Sequence, residues 1–571
     1  MKSFKDCLRG YWLCAILAPL TVVAEVAMEL LIPRVMARLI DEGIPNQNMA
    51  LVLRLGGTMV IMALVSLAFG VLSGRFASKA SVGFASNLRS KLFHKIQDFS
   101  FRNLDKFSTA SLVTRLTTDV TNTQNAFMMM IRIMFRAPCM LIFAAIMAYS
   151  INPDLFSMFY VAVPILAVTF AIVMSQAFPR FSEMMRRYDG LNASVQENLS
   201  GIRVVKAYVR EDHESKKFAD ASEALRKSQV RAENLIVVAM PMMMLVMYGC
   251  MIAVSWFGGQ DIIGGSMTTG DLMSYISYIM QILMSLMMVA MITVQLVLSR
   301  ASMRRIREVL EEKSTVTDEN ANPALVPENG AIDFDGVSFA YSKQNVLSGI
   351  DLHIKSGQMV GIVGATGSAK TSLVQLIPRL YDATEGSVRV AGHDVREYTL
   401  ENLRQNVAMV LQKNVLFSGT IRDNLKWGDK NATDEEITAA CRAAQAADFI
   451  RSFPDGYDTD LGQGGVNLSG GQKQRLCIAR ALLKCPKVLI MDDSTSAVDT
   501  ATDAALRAAL RRERGDVTTI IIAQRIASVS DADQIVVLDD GKIADCGTHD
   551  ELVERCAIYR EMVQSQTKEA N

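Results

Sequence analysis

The sequence predicts a multi-domain fold in which an all-α domain of six transmembrane helices is followed by an α/β domain. Three observations carry that expectation. Half of the 571 residues are hydrophobic and only 21% are charged. Six apolar stretches reach the about 20 residues that a helix rising about 1.5 Å per residue needs to cross a hydrocarbon core about 30 Å thick. Beyond residue 311 these stretches give way to a polar segment and then to short strand-like runs of Val, Ile and Leu. Length alone implies several domains. The formal net charge is +0, yet residues 1–310 carry 31 Lys+Arg against 21 Asp+Glu and the remainder 28 against 38, so a basic half precedes an acidic one. Nine cysteines without a C-x-x-C pair exclude a disulfide scaffold and offer neither zinc nor dithiol chemistry. The charge balance gives no reason to expect a nucleic-acid partner.

The spans run approximately Tyr11–Ile40, Leu51–Leu72, Met128–Tyr149, Leu155–Ser175, Leu235–Phe257 and Leu272–Leu298. The first is not a signal peptide: no small-residue cleavage site follows it, and Glu25 and Glu29 interrupt its apolar run. The connections 41–50, 150–154 and 258–271 contain no Lys or Arg, whereas 73–127, 176–234, Met1–Gly10 and the stretch after Ser299 are rich in both. Positive charge stays on the cytoplasmic side, which puts both termini there, and without a targeting extension a bacterial cell membrane is the expected location of this multi-pass chain.

The two basic segments are too long for ordinary loops. Charged residues at helical spacing read as membrane helices that continue far into the cytoplasm and turn back, with short turn helices expected at Ser108–Leu116 and Gln196–Arg203; plain solvated coil is the alternative. Glu25 and Glu29 lie one helical turn apart, as do Arg132 and Arg136. Such residues either line a polar substrate path or pair with one another. Methionines at Met128–Met130, Met242–Met244 and Met284–Met291 suit a surface that adapts to varied apolar ligands, or simply fill gaps between helices.

Residues 311–331 are polar, contain Pro323 and Pro327, and read as a linker between a domain over 1–310 and another over 332–571. After the strand Met359–Val363 comes Gly364-Ala-Thr-Gly-Ser-Ala-Lys-Thr-Ser372, which opens a helix. Strand, glycine-bearing loop, Lys-Thr and helix form a phosphate cradle: backbone N–H groups of the loop (Gly364, Gly367, Ser368, Ala369) and of the helix start face the phosphates, Lys370 reaches the β and γ groups, Thr371 ligates magnesium, and Ser372 closes the motif. The motif expects Gly where Ala369 stands, and a Cβ crowds the turn if φ is positive there. A buried-type strand, Val488–Met491, ends in Asp492-Asp493, the place for a magnesium-orienting carboxylate beside an acid that polarises water. Leu468-Ser469-Gly470-Gly471-Gln472 opens another helix whose free N–H groups make a second anion site. The strand Thr519–Ala523 ends at Gln524.

With these residues in place, the whole chain resembles an ABC transporter half of the exporter (multidrug) type, an all-α six-helix transmembrane domain fused to an α/β P-loop ABC nucleotide-binding domain. The resemblance implies ATP and Mg2+ as ligands and ATP-driven export of a drug-like molecule, lipid or peptide by alternating access. It implies that Tyr341 stacks on adenine, that Gln412 senses magnesium and the membrane domain, that Ser469–Gln472 is the signature loop, that Asp492 joins Thr371 and Gln412 around the metal, and that Ser496–Asp499 is the D-loop. The turn helices would be the coupling helices.

Two positions depart from the family pattern. Glu normally follows the Walker B Asp, and here Asp493 does; His normally stands in the switch loop, and here it is Gln524. The shorter carboxylate is drawn back by about 1 Å, a displacement that can cost on the order of 100-fold in rate, and a neutral amide cannot carry a proton's charge. The signature matches the family completely. A chain of this kind is expected as the degenerate-site half of a heterodimer, slow at its own Walker loop and completing the site of a partner that carries Glu and His. Two other readings stay open: a homodimeric exporter with Asp493 as its base, and an ATP-gated channel or regulator.

Overall fold

In the computed structural model residues 6–493, 500–513 and 515–570 are described. They fall into two units, Met1–Ile96 with Ala110–Glu311, and Gln97–Thr109 with Glu312–Asn571.

The first unit is helical. Its long helices are α1 (Trp12–Arg38, running on into a π-helical turn at Leu39–Gly43) and α2 (Met49–Gln97). The next helix, α3 (Phe101–Phe107), belongs to the second unit. Then follow α4 (Val120–Ile151), α5 (Phe159–Ser200), α6 (Glu211–Ile263) and α7 (Thr269–Glu311). Among the described residues, Trp12–Gly43, Met49–Gln97, Thr109–Ile151, Met244–Ile263 and Thr269–Val289 are long and apolar enough to cross a membrane. The shorter apolar run Pro153–Ile165 leads into α5. At 49 residues α2 is about 73 Å long, so well over half of it extends beyond any bilayer core. The basic segments are therefore helical, as their charge spacing predicts. Prolines 19, 33, 138, 164, 179 and 241 lie inside these helices, a load that membrane helices tolerate because neighbouring helices and side chains satisfy the freed carbonyls.

Of the two readings of the membrane charges, Glu25, Glu29 and Arg136 follow the structural one. Arg136 Nη1 donates to Glu25 Oε1 at 2.5 Å and Nη2 to Glu29 Oε2 at 2.8 Å, tying α4 to α1. Gly70 on α2 makes room for this pair, since a Cβ there would sit 3.0 Å from Glu25 Oε1. Further along, Asp119 is fully buried and paired with Arg305, whose carbonyl accepts from Arg115 Nη1 at 2.8 Å, which fastens the start of α4 to the end of α7.

The turn helix between α2 and α4 lies earlier than the sequence suggests. Ser100 and Asn103 form a capping box that starts α3 at Phe101, and Ser108 at φ +47° ends it. Asp105 is thus inside this helix rather than before it, and Thr109–Thr114 instead opens the helical run that continues through a π-helical stretch at Arg115–Asp119 into α4. The other turn falls at Gly201, between α5 and a short helix over Ile202–Ala207.

In the second unit, β1 (Ile332–Phe339), β2 (Leu347–Ile354), β4 (Glu385–Val390) and β5 (His393–Asp394) form an antiparallel sheet in the order β2-β1-β4-β5. A second sheet is built from β3 (Met359–Gly364), β6 (Val407–Val410), β9 (Val488–Asp492), β10 (Thr518–Ile522), β11 (Gln534–Asp539) and β12 (Lys542–Gly547), in the order β12-β11-β3-β10-β9-β6. The pair β7 (Gly419–Thr420) and β8 (Asp460–Leu461) stands apart. All pairings in the larger sheet are parallel except that of the edge strand β12. Every residue of β9 and β10 is buried, which is why these strands read as continuous runs of Val, Ile and Leu rather than alternating ones. Because β3, β6, β9 and β10 run the same way, the loops after them gather at one edge, where ligands of open α/β sheets bind.

Candidate functional site

The loop 364–369 leaves β3 and enters α8 (Lys370–Gln375). Gly364 has φ +154° and a Cβ there would lie 2.2 Å from the Leu538 carbonyl oxygen, so no larger residue fits. Gly367, at φ +89°, also occupies the region open to glycine. Ala369 caps α8 at φ +69°, ψ +21°, so the position expected to hold Gly does need a left-handed backbone, and alanine carries the strain.

Lys370 Nζ donates to the Gly364 carbonyl at 2.9 Å and the Ala365 carbonyl at 2.8 Å, with Ser368 Oγ at 3.4 Å. The ammonium is folded into its own loop, in the concave side where phosphate oxygens would replace the carbonyls. Burial pushes its pKa down while Asp493 and Asp492 pull it up. Thr371 Oγ1 donates to Asp492 Oδ1 at 3.0 Å. A hydroxyl and a carboxylate side by side are a hard-oxygen donor set, which suits Mg2+. Asp492 is 2% exposed and burial raises its pKa, with Thr371 opposing the shift.

The two positions that depart from the family pattern touch each other. Gln524 Nε2 donates to Asp493 Oδ2 at 2.7 Å. Asp493 itself has φ +49°, and burial raises its pKa against the hydrogen bonds of Gln524 and Gln412. Lys370, Thr371, Gln412, Asp492, Asp493 and Gln524 all line one cavity of about 710 Å³. Tyr341 stands beside the loop, 40% exposed, sharing a 2.9 Å hydrogen bond with Ser372 Oγ.

The Ser469–Gln472 segment is not part of this cavity. Ser469 caps the helix α9 (Gly470–Leu483) in a reciprocal box: its backbone N–H donates to Gln472 Oε1 at 2.8 Å and its Oγ accepts from the Gln472 N–H at 3.3 Å. Ser469 and Gly470 are exposed, so this helix start faces outward. The expected D-loop, Ser496–Asp499, lies outside the described residues.

Gln566 was missed by sequence reasoning. It lies near the end of the helix Ala557–Ala570, accepts from the Ile526 N–H and donates to the Gln524 carbonyl, each at 2.8 Å, and so fastens the Gln524 turn. An amide at the end of an amphipathic helix carries no motif by which to find it.

A strand-to-helix loop with Lys370 folded into it, a Thr–Asp oxygen pair beside it and long apolar helices in one chain are the arrangement expected of a membrane-embedded P-loop ATPase. The family model described as "ABC transporter transmembrane region" matches residues 15–287 and that described as "ABC transporter" matches 347–496. An uncharacterized ABC transporter ATP-binding protein YfiB of Bacillus subtilis is 38% identical over 99% of this chain and 98% of its own length. An ATP-dependent lipid A-core flippase of Desulfotalea psychrophila is 33% identical over 83% of each chain. A multidrug efflux ATP-binding/permease protein of Mycobacterium bovis is 33% identical over 99% of this chain and 46% of its own. Among solved structures, a bacterial Atm1-family ABC exporter with ATP bound superposes with a TM-score of 0.82, at 26% identity over 98% of each chain. The chain belongs to the ABC transporter family. It is an ATP-driven exporter of the membrane, with its transmembrane and nucleotide-binding domains fused.

Proposed function

We propose that this chain is one half of a heterodimeric exporter, that its own Walker-side site binds ATP for long periods and hydrolyses it slowly, and that its signature loop completes the partner's active site. The observation that carries this reading is the hydrogen bond from Gln524 to Asp493. A shortened carboxylate gripped by the amides of Gln524 and Gln412 is held away from an attacking water, and neither amide accepts a proton from it. The strained Ala369 adds to the departures, while the capped Ser469–Gln472 helix start remains able to bind a phosphate across an interface.

In this reading Tyr341 stacks on adenine and the loop Gly364–Ser372 with Lys370 holds the phosphates. Thr371, Gln412 and Asp492 hold Mg2+, which when bound neutralises charge on the triphosphate. ATP clamps the two nucleotide-binding domains together and turns the cavity outward, and hydrolysis at the partner's site resets it. The cargo is a drug-like molecule, a lipid or a peptide, moved across a cell membrane with both termini in the cytoplasm. The domain limits are 1–310, 311–331 and 332–571. A homodimer with Asp493 as base is the competing reading, favoured by the position of Asp493 on the cavity wall.

The test is purification of the tagged chain from its native membrane. A stoichiometric second ABC half bearing Glu and His at the matching positions is the expected companion. An active homodimer, hydrolysing ATP at a rate typical of the family, would overturn the proposal.

A further inference from the structure

One side chain joins the adenine side of the site to helix α3. Tyr381 lies just past α8 and is 7% exposed. Its ring meets the Tyr341 ring edge-on, with centroids 5.2 Å apart and planes at 89°. Phe339 closes the cluster, 4.8 Å from Tyr341 and 5.5 Å from Tyr381. On its other side the Tyr381 hydroxyl donates to Asp105 Oδ2 at 2.7 Å, and its ring edge meets Phe101 at 6.0 Å. Burial and the Asp105 carboxylate both raise the phenol's pKa, so it stays protonated and acts as the donor.

Helix α3 in turn grips the segment that follows α7. Asn103 Nδ2 donates to Glu312 Oε1 at 3.1 Å and to the Lys313 carbonyl at 3.0 Å, Lys106 Nζ donates to Glu312 Oε2 at 2.7 Å, and Ser100 and Thr315 share a 2.7 Å hydrogen bond. A continuous set of contacts thus runs from Tyr341 through Tyr381 and α3 to the start of the linker. Its members lie far apart in sequence and carry no shared motif.

We propose that Tyr381 is a positioning residue for base recognition, holding the Tyr341 ring in its stacking orientation and making nucleotide affinity depend on its contact with Asp105 of helix α3. The inference rests on the reading of Tyr341 as the adenine platform. Tyr341 is held at its tip by Ser372 and along its ring by Tyr381; Tyr381 is itself held by Asp105. Ordering the platform before the base arrives removes part of the entropic cost of binding. Linkage then requires the reverse effect: a base stacked on Tyr341 strengthens the Tyr381–Asp105 contact by the same factor. The nucleotide therefore acts on α3, and through it on the 312–315 segment, by a route that does not pass through Gln412.

The experiment measures binding of Mg·ATP and of Mg·tripolyphosphate, which has no base, to the full chain in its purified complex. The variants are Tyr381→Phe, which keeps the ring and its packing, Asp105→Asn, their combination, and Tyr341→Leu. Each single change at 381 and 105 is expected to weaken Mg·ATP binding by about 5-fold, and the combination to do no more than either alone, because both remove the same contact. Tripolyphosphate binding stays at the wild-type level in the variants at 381 and 105. If either single variant binds Mg·ATP like wild type, if the two effects multiply, or if tripolyphosphate weakens in parallel, Tyr381 is a packing residue and the proposal is wrong. Tyr341→Leu separates the two failures. Unchanged Mg·ATP affinity there defeats the platform reading and this inference with it, whereas weakened affinity alongside a wild-type-like Tyr381→Phe defeats the inference alone.

Discussion

Ala369 sets one backbone penalty against another. A left-handed residue with a Cβ costs about 1–2 kcal/mol relative to a right-handed one, and Ala369 adopts φ +69° at the head of α8. Replacing it with glycine removes that strain but gives the unfolded chain more freedom, which costs about 0.5–1 kcal/mol. The first effect is larger, so Ala369→Gly is expected to stabilise the nucleotide-binding domain by about 0.5–1 kcal/mol and to raise its melting temperature by about 2 °C. Thermal unfolding of the two proteins without nucleotide checks this. A lower melting temperature would mean that the methyl, which packs against the core beside β3, outweighs the backbone. The need for glycine at 369 is legible in the sequence because the loop motif fixes its geometry. The Asp493–Gln524 contact is not, since the two residues are 31 positions apart and meet only because β9 and β10 are parallel neighbours that end together.

At the scale of elements, the same contrast decides what could be read in advance. A span of about 20 apolar residues announces itself by length, and strands buried on both faces announce themselves by composition. Helix α3 does not, because its capping box uses Asn103 where Glu or Gln is the usual signal, and the sequence pattern puts the turn helix at the next Ser-Thr, Ser108-Thr109, instead. Pairing between helices is equally hidden. Arg136 could face Glu25 and Glu29 or a wet path, and only the packing of α1 against α4 decides it. Glu25 is 9% exposed, and removing the partner of a buried charge costs about 3–5 kcal/mol. Arg136→Met is therefore expected to lower the melting temperature of the purified transporter sharply. Adding Glu25→Gln and Glu29→Gln should recover most of the loss, since no uncompensated charge then remains. Failure of the triple variant to recover would show that the arginine does more than neutralise the two carboxylates.

For the whole molecule, the decisive fact is that the Ser469–Gln472 helix start and the Gly364–Ser372 loop of this chain do not share a cavity. In the proposed heterodimer each serves a different nucleotide, so damage to the two should have unequal consequences. Gly470→Asp places a carboxylate at the outward-facing start of α9, where a phosphate would bind. An acid in the first turn of a helix is mildly stabilising, so the domain keeps its fold while the anion site is filled. ATPase activity of the purified complex is then expected to fall by about 100-fold, the scale seen when donors to a developing charge are lost. Asp493→Ala, in contrast, removes only a carboxylate already held by Gln524, and the complex should keep its rate within about 2-fold. In a homodimer every site contains both residues, and both substitutions silence it. Equal losses from Gly470→Asp and Asp493→Ala would thus place catalysis on Asp493, and unequal losses would place it on the partner.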